Sequence, residues 1–79
     1  MSPKQNICGP KIRDLRQAKN LSQAMLAARC EILGWDISEN GITKIERQNR
    51  CVSDEELLIL AAALRVKLRE IFPDKSNLF

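Results

Sequence analysis

The sequence contains no histidine and only three cysteines, and these two shortages exclude several kinds of site. Without histidine, the cysteines supply one ligand too few for a closed four-ligand zinc site, so we predict no metal. Their odd number also excludes a complete disulfide framework, and we expect reduced thiols. Cys30 lies at helical spacing from Leu26 and Leu33, which predicts a place in the core for all three side chains.

The sequence also lacks the marks of a membrane protein, a secreted protein or an enzyme. It has no apolar stretch of the ~20 residues that cross a bilayer and no secretory signal pattern, which predicts a cytoplasmic protein without a membrane partner. It has no glycine-rich phosphate loop and no paired acids in a predicted pocket. We therefore predict no catalytic residue, no cofactor and no small-molecule ligand.

The charge that is present is unevenly distributed along the chain. Residues 1 to 50 carry nine Lys and Arg against five Asp and Glu, and the remaining residues carry four against five. This asymmetry favours a basic face turned toward a polyanion.

A chain of 79 residues with 44% hydrophobic residues suffices for a single small core. We predict an N-terminal arm over residues 1–9, one domain over residues 10–72 and a tail over residues 73–79.

Local signals predict a domain built only from helices. Helix 1 begins near Pro10, because proline fits a first helical position where its missing N–H would have no partner. Ser22 is the predicted N-cap of helix 2, which extends to about Leu33 and ends at Gly34. Ser38 is the predicted N-cap of helix 3. Three helices are therefore expected before residue 50.

Two more helical segments are predicted after residue 50. Ser53 and the acidic residues that follow it form a capping box at the start of helix 4. The run from Leu57 to Leu64 is apolar on all sides, and Ile59 and Ala62 are left over once its core positions are assigned. A last helical turn or two is predicted to end at Pro73.

Helices 2 and 3 form the pair that carries the functional prediction. Helix 3 opens with polar residues, while Ile42 and Ile45 point inward and hold its outer face away from the body of the domain. A helix held in this way fits a major groove. Ser22 and Gln23, at the start of helix 2, are placed to contact a backbone phosphate.

Three segments of the sequence together resemble the phage repressor and Cro type (Xre-like) helix-turn-helix family. They read IRDLRQAKNLSQAMLAARC, ISENGITKIERQNR and SDEELLILAAALRVKLREIF, and the resemblance covers residues 10 to 72. It implies a compact five-helix fold of the lambda-repressor type with helices 2 and 3 as the helix-turn-helix. It also implies sequence-specific binding of double-stranded DNA by a prokaryotic or phage transcriptional regulator, in the manner of a repressor.

The resemblance places Glu39, Asn40 and Lys44 against the bases. The Asn40 amide matches the adenine edge, Lys44 suits guanine, and Glu39 accepts only from the cytosine amine. An ordinary solvated helix face is the alternative interpretation of these three residues. The predicted phosphate contacts are Ser22, Gln23, Thr43, Arg47 and Arg50.

The resemblance also implies a structural ion pair between Arg16 and Glu46. Ile59 and Ala62 stand where the family usually has lysine, and we interpret this apolar stripe on helix 4 as the contact of a homodimer. A lone domain of this size covers only one half-site of a DNA operator, which also favours a dimer.

The connection before helix 3 departs from the family pattern, because the segment between Leu21 and Ile42 is longer than usual. We attribute the excess to an extra turn on helix 2 and a longer link through Trp35. Trp35 then either closes this extension as a core residue or lies exposed beside the groove or a partner. The alternative function is a protein-interaction module, for example one that binds a partner as an antitoxin does.

Overall fold

The protein is described by a computed structural model that covers residues 4 to 73. Within these residues four α-helices follow one another, and no strand occurs. They are α1 (Gly9–Ala18), α2 (Gln23–Ile32), α3 (Glu39–Glu46) and α4 (Asp54–Leu64). The all-helical prediction is confirmed, but the fifth predicted helix is only a 3-10 turn, Leu68–Glu70. No helix between residues 4 and 73 combines the length and the apolar character that crossing a membrane requires.

The two predicted terminal segments lie partly outside the described residues. These are residues 1 to 3 of the predicted arm and residues 74 to 79 of the predicted tail. The described part of the arm is fastened to the end of α3. The Asn6 amide nitrogen donates to the carbonyl oxygens of Ile45, at 3.1 Å, and of Arg50, at 2.8 Å. A side chain at Gly9 would collide with the Ile45 carbonyl oxygen, so glycine permits the close approach of α1 to α3.

The predicted serine caps begin α2, α3 and α4. In each case the serine hydroxyl, from Ser22, Ser38 or Ser53, accepts a hydrogen bond from the backbone amide three residues further on. Glu56 completes the predicted capping box, because its carboxylate accepts from the Ser53 amide at 2.9 Å. These bonds satisfy amides that have no partner inside their helix.

The core lies where the four helices meet. Its largest completely buried side chains are Ile12, Leu26, Cys30, Ile42, Ile45, Leu60, Leu64 and Ile71. The core position predicted for Cys30 is confirmed, and burial raises the pKa of its thiol to about 11, which keeps it protonated at neutral pH. The core position predicted for Leu33 is wrong. Leu33 is 47% exposed because α2 has already ended and Leu33 is its C-cap.

Residues 33 to 38 form the connection between α2 and α3. Gly34 leaves α2 with a φ of 96°, as the prediction of a glycine stop requires. The Trp35 ring is half-buried against the core, and the guanidinium carbon of Arg50 lies 5.6 Å from the ring centroid. Trp35 therefore lies between the core and the Arg50 guanidinium. This position favours the interpretation of Trp35 as a core residue that closes the connection. The helix that precedes it ends at Ile32, after ten residues.

Candidate nucleic-acid interface

The outer side of α3 gathers the three residues that the sequence assigns to base contacts. Ile42 and Ile45 are completely buried and fix α3 against the core, while Glu39, Asn40 and Lys44 are all exposed. α3 packs against both α1 and α2, so its position depends on two neighbours. The result is a helix that packs against the core with one side and presents polar residues on the other.

Arg16 of α1 and Glu46 of α3 form a buried ion pair. The Arg16 Nε donates to Glu46 Oε2 at 2.7 Å, and Nη2 donates to Oε1 at 3.1 Å. A third donor, Arg16 Nη1, reaches the Leu21 carbonyl oxygen at 2.7 Å. The hydrogen bond to Glu46 is the main cause of the raised pKa of Arg16, so the guanidinium stays charged inside the fold. The pair ties the last turn of α3 to α1.

Gln23 and Thr43 extend this ion pair into a chain of hydrogen bonds. The Gln23 side-chain nitrogen donates to Glu46 Oε1 at 3.0 Å, and the Thr43 hydroxyl donates to Gln23 Oε1 at 2.7 Å. Because a carboxylate only accepts hydrogen bonds, Glu46 dictates which end of the Gln23 amide faces Thr43. Two residues predicted to contact phosphate are thus bonded to each other. The sequence did not reveal this, since the partners are 20 and 23 residues apart.

A polar cleft of about 280 Å³ lies where α1, α2 and α3 meet. Its lining consists of Arg13, Arg16, Gln17, Gln23, Thr43, Glu46 and Arg47. Arg13 and Gln17 were not among the predicted site residues. The signal that would have found them is spacing, because Arg13 lies three residues before Arg16 and four before Gln17, and residues three or four apart are neighbours on a helix surface.

Arg50, the last predicted phosphate contact, already has partners within the chain. Its guanidinium donates to both carboxylate oxygens of Glu56, at 3.3 and 3.1 Å, and lies over the Trp35 ring. A phosphate would have to compete with these contacts. Arg47 differs, because it is exposed and forms no ion pair with residues 4 to 73.

The apolar stripe predicted on α4 is only partly present. Ile59 is half-buried and packs against the core, so the stripe offers less exposed apolar surface than the spacing predicted. Ala62 is exposed and lines a groove of about 220 Å³ together with Ile32 and Leu33. Ile32, at the end of α2, is 85% exposed and was missed by the sequence analysis.

Comparison with known proteins places the chain in a family. Residues 12–71 match the family model described as "Helix-turn-helix". The structure is similar to the crystal structure of the restriction-modification controller protein C.AhdI from Aeromonas hydrophila, with 37% sequence identity and a TM-score of 0.73. The similarity covers 82% of this chain and 91% of that chain. No match to the chain is found among the curated proteins.

Proposed function

Because the chain belongs to the helix-turn-helix family, we propose that α2 and α3 are its helix-turn-helix and that α3 reads base edges in the major groove. The protein is a sequence-specific DNA-binding regulator of transcription of the Xre and Cro type. One observation carries the proposal about α3: two completely buried isoleucines brace a helix whose Glu39, Asn40 and Lys44 are all exposed.

The proposed roles on α3 follow from hydrogen-bonding chemistry. Asn40 both donates to and accepts from an adenine edge, and Lys44 donates to guanine. Glu39 accepts from a cytosine amine and repels phosphates elsewhere, which narrows the choice of sites. Arg47 has the strongest support among the proposed phosphate contacts, since it is exposed and unpaired within residues 4 to 73.

The side chains of the remaining proposed phosphate contacts already form hydrogen bonds within the chain, and they differ in how readily they could bind a phosphate as well. Ser22 is exposed at the start of α2, although its hydroxyl already accepts from the Met25 amide. Gln23 and Thr43 reach a phosphate only by loosening the bonds between them, and their present arrangement supports a role in orienting α3. Arg50 reaches one only by leaving Glu56.

Selection of bound duplexes from a random library tests the proposed function. We expect the wild type to enrich one motif. Asn40→Ala should relax the preference at one base pair by about 1–3 kcal/mol, whereas Arg47→Ala should weaken binding to all sequences alike. Lys11→Ala, which removes an exposed positive charge from α1, serves as the control. No enrichment by the wild type would exclude the function, and identical effects of the Asn40 and Arg47 variants would exclude these roles.

We also propose that two copies bind one operator as a homodimer, with recognition helices ~34 Å apart on one face of the DNA. The exposed apolar side chains of Ile32, Leu33 and Ala62 support a contact at the α2–α4 groove. Sedimentation of the wild type and of Ile32→Lys tests this, and a monomeric wild type would exclude it.

A DNA partner agrees with the cytoplasmic location proposed from the sequence.

The 37% identity to a restriction-modification controller protein favours the same regulatory role for this chain. The matched family is described as helix-turn-helix and the structural neighbour as a controller protein, and neither description names an enzymatic activity. If the proposal is correct, the motif selected from the library will occur upstream of genes for a restriction-modification system. Its absence there would limit the proposal to DNA binding alone.

A further inference from the structure

Two residues that line the polar cleft where α1, α2 and α3 meet, Arg13 and Gln17, have no role in the proposals above. We propose that it is a phosphate-binding site, in which Arg13 of α1 and Arg47 of α3 together hold one phosphodiester of the DNA backbone. The inference rests on the proposed DNA binding and extends it to α1, which lies outside the helix-turn-helix pair.

The charges that line the cleft do not balance. Arg16 and Glu46 neutralise each other, and both oxygens of Glu46 already accept hydrogen bonds. Arg13 and Arg47 are left, and neither forms an ion pair with residues 4 to 73. Two uncompensated positive charges at a concave surface attract a single anion placed between them.

The side chains of the cleft also match the shape and bonding of a phosphodiester. Guanidinium groups present several donors in one plane and bind phosphate oxygens in pairs, more specifically than an ammonium group does. The Gln17 amide, exposed on the same side of α1, adds a neutral donor. The Thr43 hydroxyl cannot donate to a phosphate in the cleft while it donates to Gln23 Oε1, so phosphate binding depends on the two arginines.

The position of the cleft favours the DNA backbone as the source of the phosphate. Arg47 is the C-cap of α3, directly after Glu46, and therefore lies at the end of the helix that is proposed to enter the groove. Arg13 approaches from α1, which the Arg16–Glu46 pair holds against this same end. A strand that passes the end of α3 would meet both guanidinium groups.

The salt dependence of binding to one selected and one random duplex tests the inference. Each phosphate neutralised by a protein charge steepens the fall of log K with log salt by about one unit. Arg13→Ala should therefore lower affinity for both duplexes by the same factor and reduce the slope by about 1. Lys11→Ala removes the same charge from an exposed position two residues away on α1, outside the cleft, and should leave the slope near that of the wild type.

The double variant Arg13→Ala/Arg47→Ala asks whether both arginines hold the same phosphate. In that case its loss of affinity will be smaller than the product of the two single losses, because the second removal finds the contact already broken. A full multiplicative loss would mean separate phosphates and would overturn the shared site. Circular dichroism of each variant confirms that it is folded before binding is measured.

The outcomes separate this inference from the proposed function. If the wild type binds no DNA, both fail. If the wild type binds with a salt-dependent affinity and Arg13→Ala behaves as Lys11→Ala does, only the cleft is excluded. A further arm compares melting temperatures in inorganic phosphate and in chloride at equal ionic strength. A rise that Arg13→Ala abolishes, together with an unchanged slope on DNA, would assign the cleft to a free anion and overturn the DNA assignment.

Discussion

Within residues 4 to 73, two arginine–glutamate pairs join segments of the fold, and they differ in burial. In the Arg16–Glu46 pair the side chains are 10% and 3% exposed, and the shortest N–O distance is 2.7 Å. In the Arg50–Glu56 pair they are 34% and 22% exposed, at 3.1 Å. The first pair fixes α1 against the end of α3, and the second fixes the start of α4 beside the Trp35 connection.

The difference in burial teaches which pair the fold depends on. Breaking a buried pair leaves a charge without water or partner, whereas an exposed pair exchanges its bonds for water at little cost. The buried pair is also fully satisfied, since no buried side-chain nitrogen or oxygen in residues 4 to 73 lacks a hydrogen-bond partner. We therefore expect the Arg16–Glu46 pair to contribute much to the free energy of unfolding. The Arg50–Glu56 pair should contribute little to it and mainly hold the start of α4 beside the Trp35 connection.

The largest effect is expected from Glu46→Ala, which leaves the Arg16 guanidinium buried and unpaired. The free energy of unfolding should fall by about 3–5 kcal/mol, measured by urea denaturation followed by circular dichroism. The double variant Arg16→Met/Glu46→Leu is the matched control, because it removes both charges and fills the space. It should recover most of the loss. A single variant as stable as the wild type would remove the distinction between the two pairs.

A smaller effect is expected from Arg50→Met, which keeps an apolar stem over Trp35 and removes the charge. The partly exposed ion pair is worth about 1 kcal/mol or less, and the contact with the ring about 0.5–1 kcal/mol. The loss in urea denaturation should therefore be about 1 kcal/mol. Arg50→Lys, which keeps the charge, should lose less. A loss as large as that of Glu46→Ala would show that burial does not explain the difference.

The smallest expected effect is the loss of stability at low pH that comes from protonation of Glu56. Burial acts to raise the pKa of Glu56, but hydrogen bonds from Arg50 and Ser53 outweigh it and lower the pKa below the ordinary value. A lowered folded-state pKa stabilises the fold above the unfolded-state pKa, and this contribution is lost as the pH falls through the folded-state pKa.

Between about pH 5 and about pH 3 the wild type should therefore lose more stability than Glu56→Gln does, measured by urea denaturation at each pH. Glu55→Gln is the matched control, since it neutralises an exposed neighbouring carboxylate and should follow the wild type. Parallel pH profiles for the wild type and Glu56→Gln would contradict the role given to the Arg50–Glu56 pair.

The features that the sequence predicted well are local ones. A serine N-cap bonds to an amide only three residues away, so Ser22, Ser38 and Ser53 could be identified without knowledge of the fold. The polar outer side of α3 could be identified in the same way, from the helical spacing of Ile42 and Ile45.

The features that the sequence did not reveal depend on contacts between distant segments. Arg50 lies in a loop, where no periodicity shows that its side chain bonds to Glu56 rather than reaching outward. Asn6 bonds to carbonyl oxygens 39 and 44 residues away, and its neighbours in sequence give no sign of it. Leu33 matches the helical spacing, but the spacing does not reveal that α2 ends one residue earlier.

The Trp35 connection has a consequence for spectroscopy. The chain has one tryptophan and no tyrosine, so nearly all of its near-ultraviolet absorbance and fluorescence originate from this single indole. Since the ring lies in the connection between α2 and α3, with the Arg50 guanidinium over it, the molecule carries an intrinsic optical label at the joint of the two helices that are proposed to form the helix-turn-helix. Emission recorded during a titration with DNA reports that joint, and not an average over the whole chain.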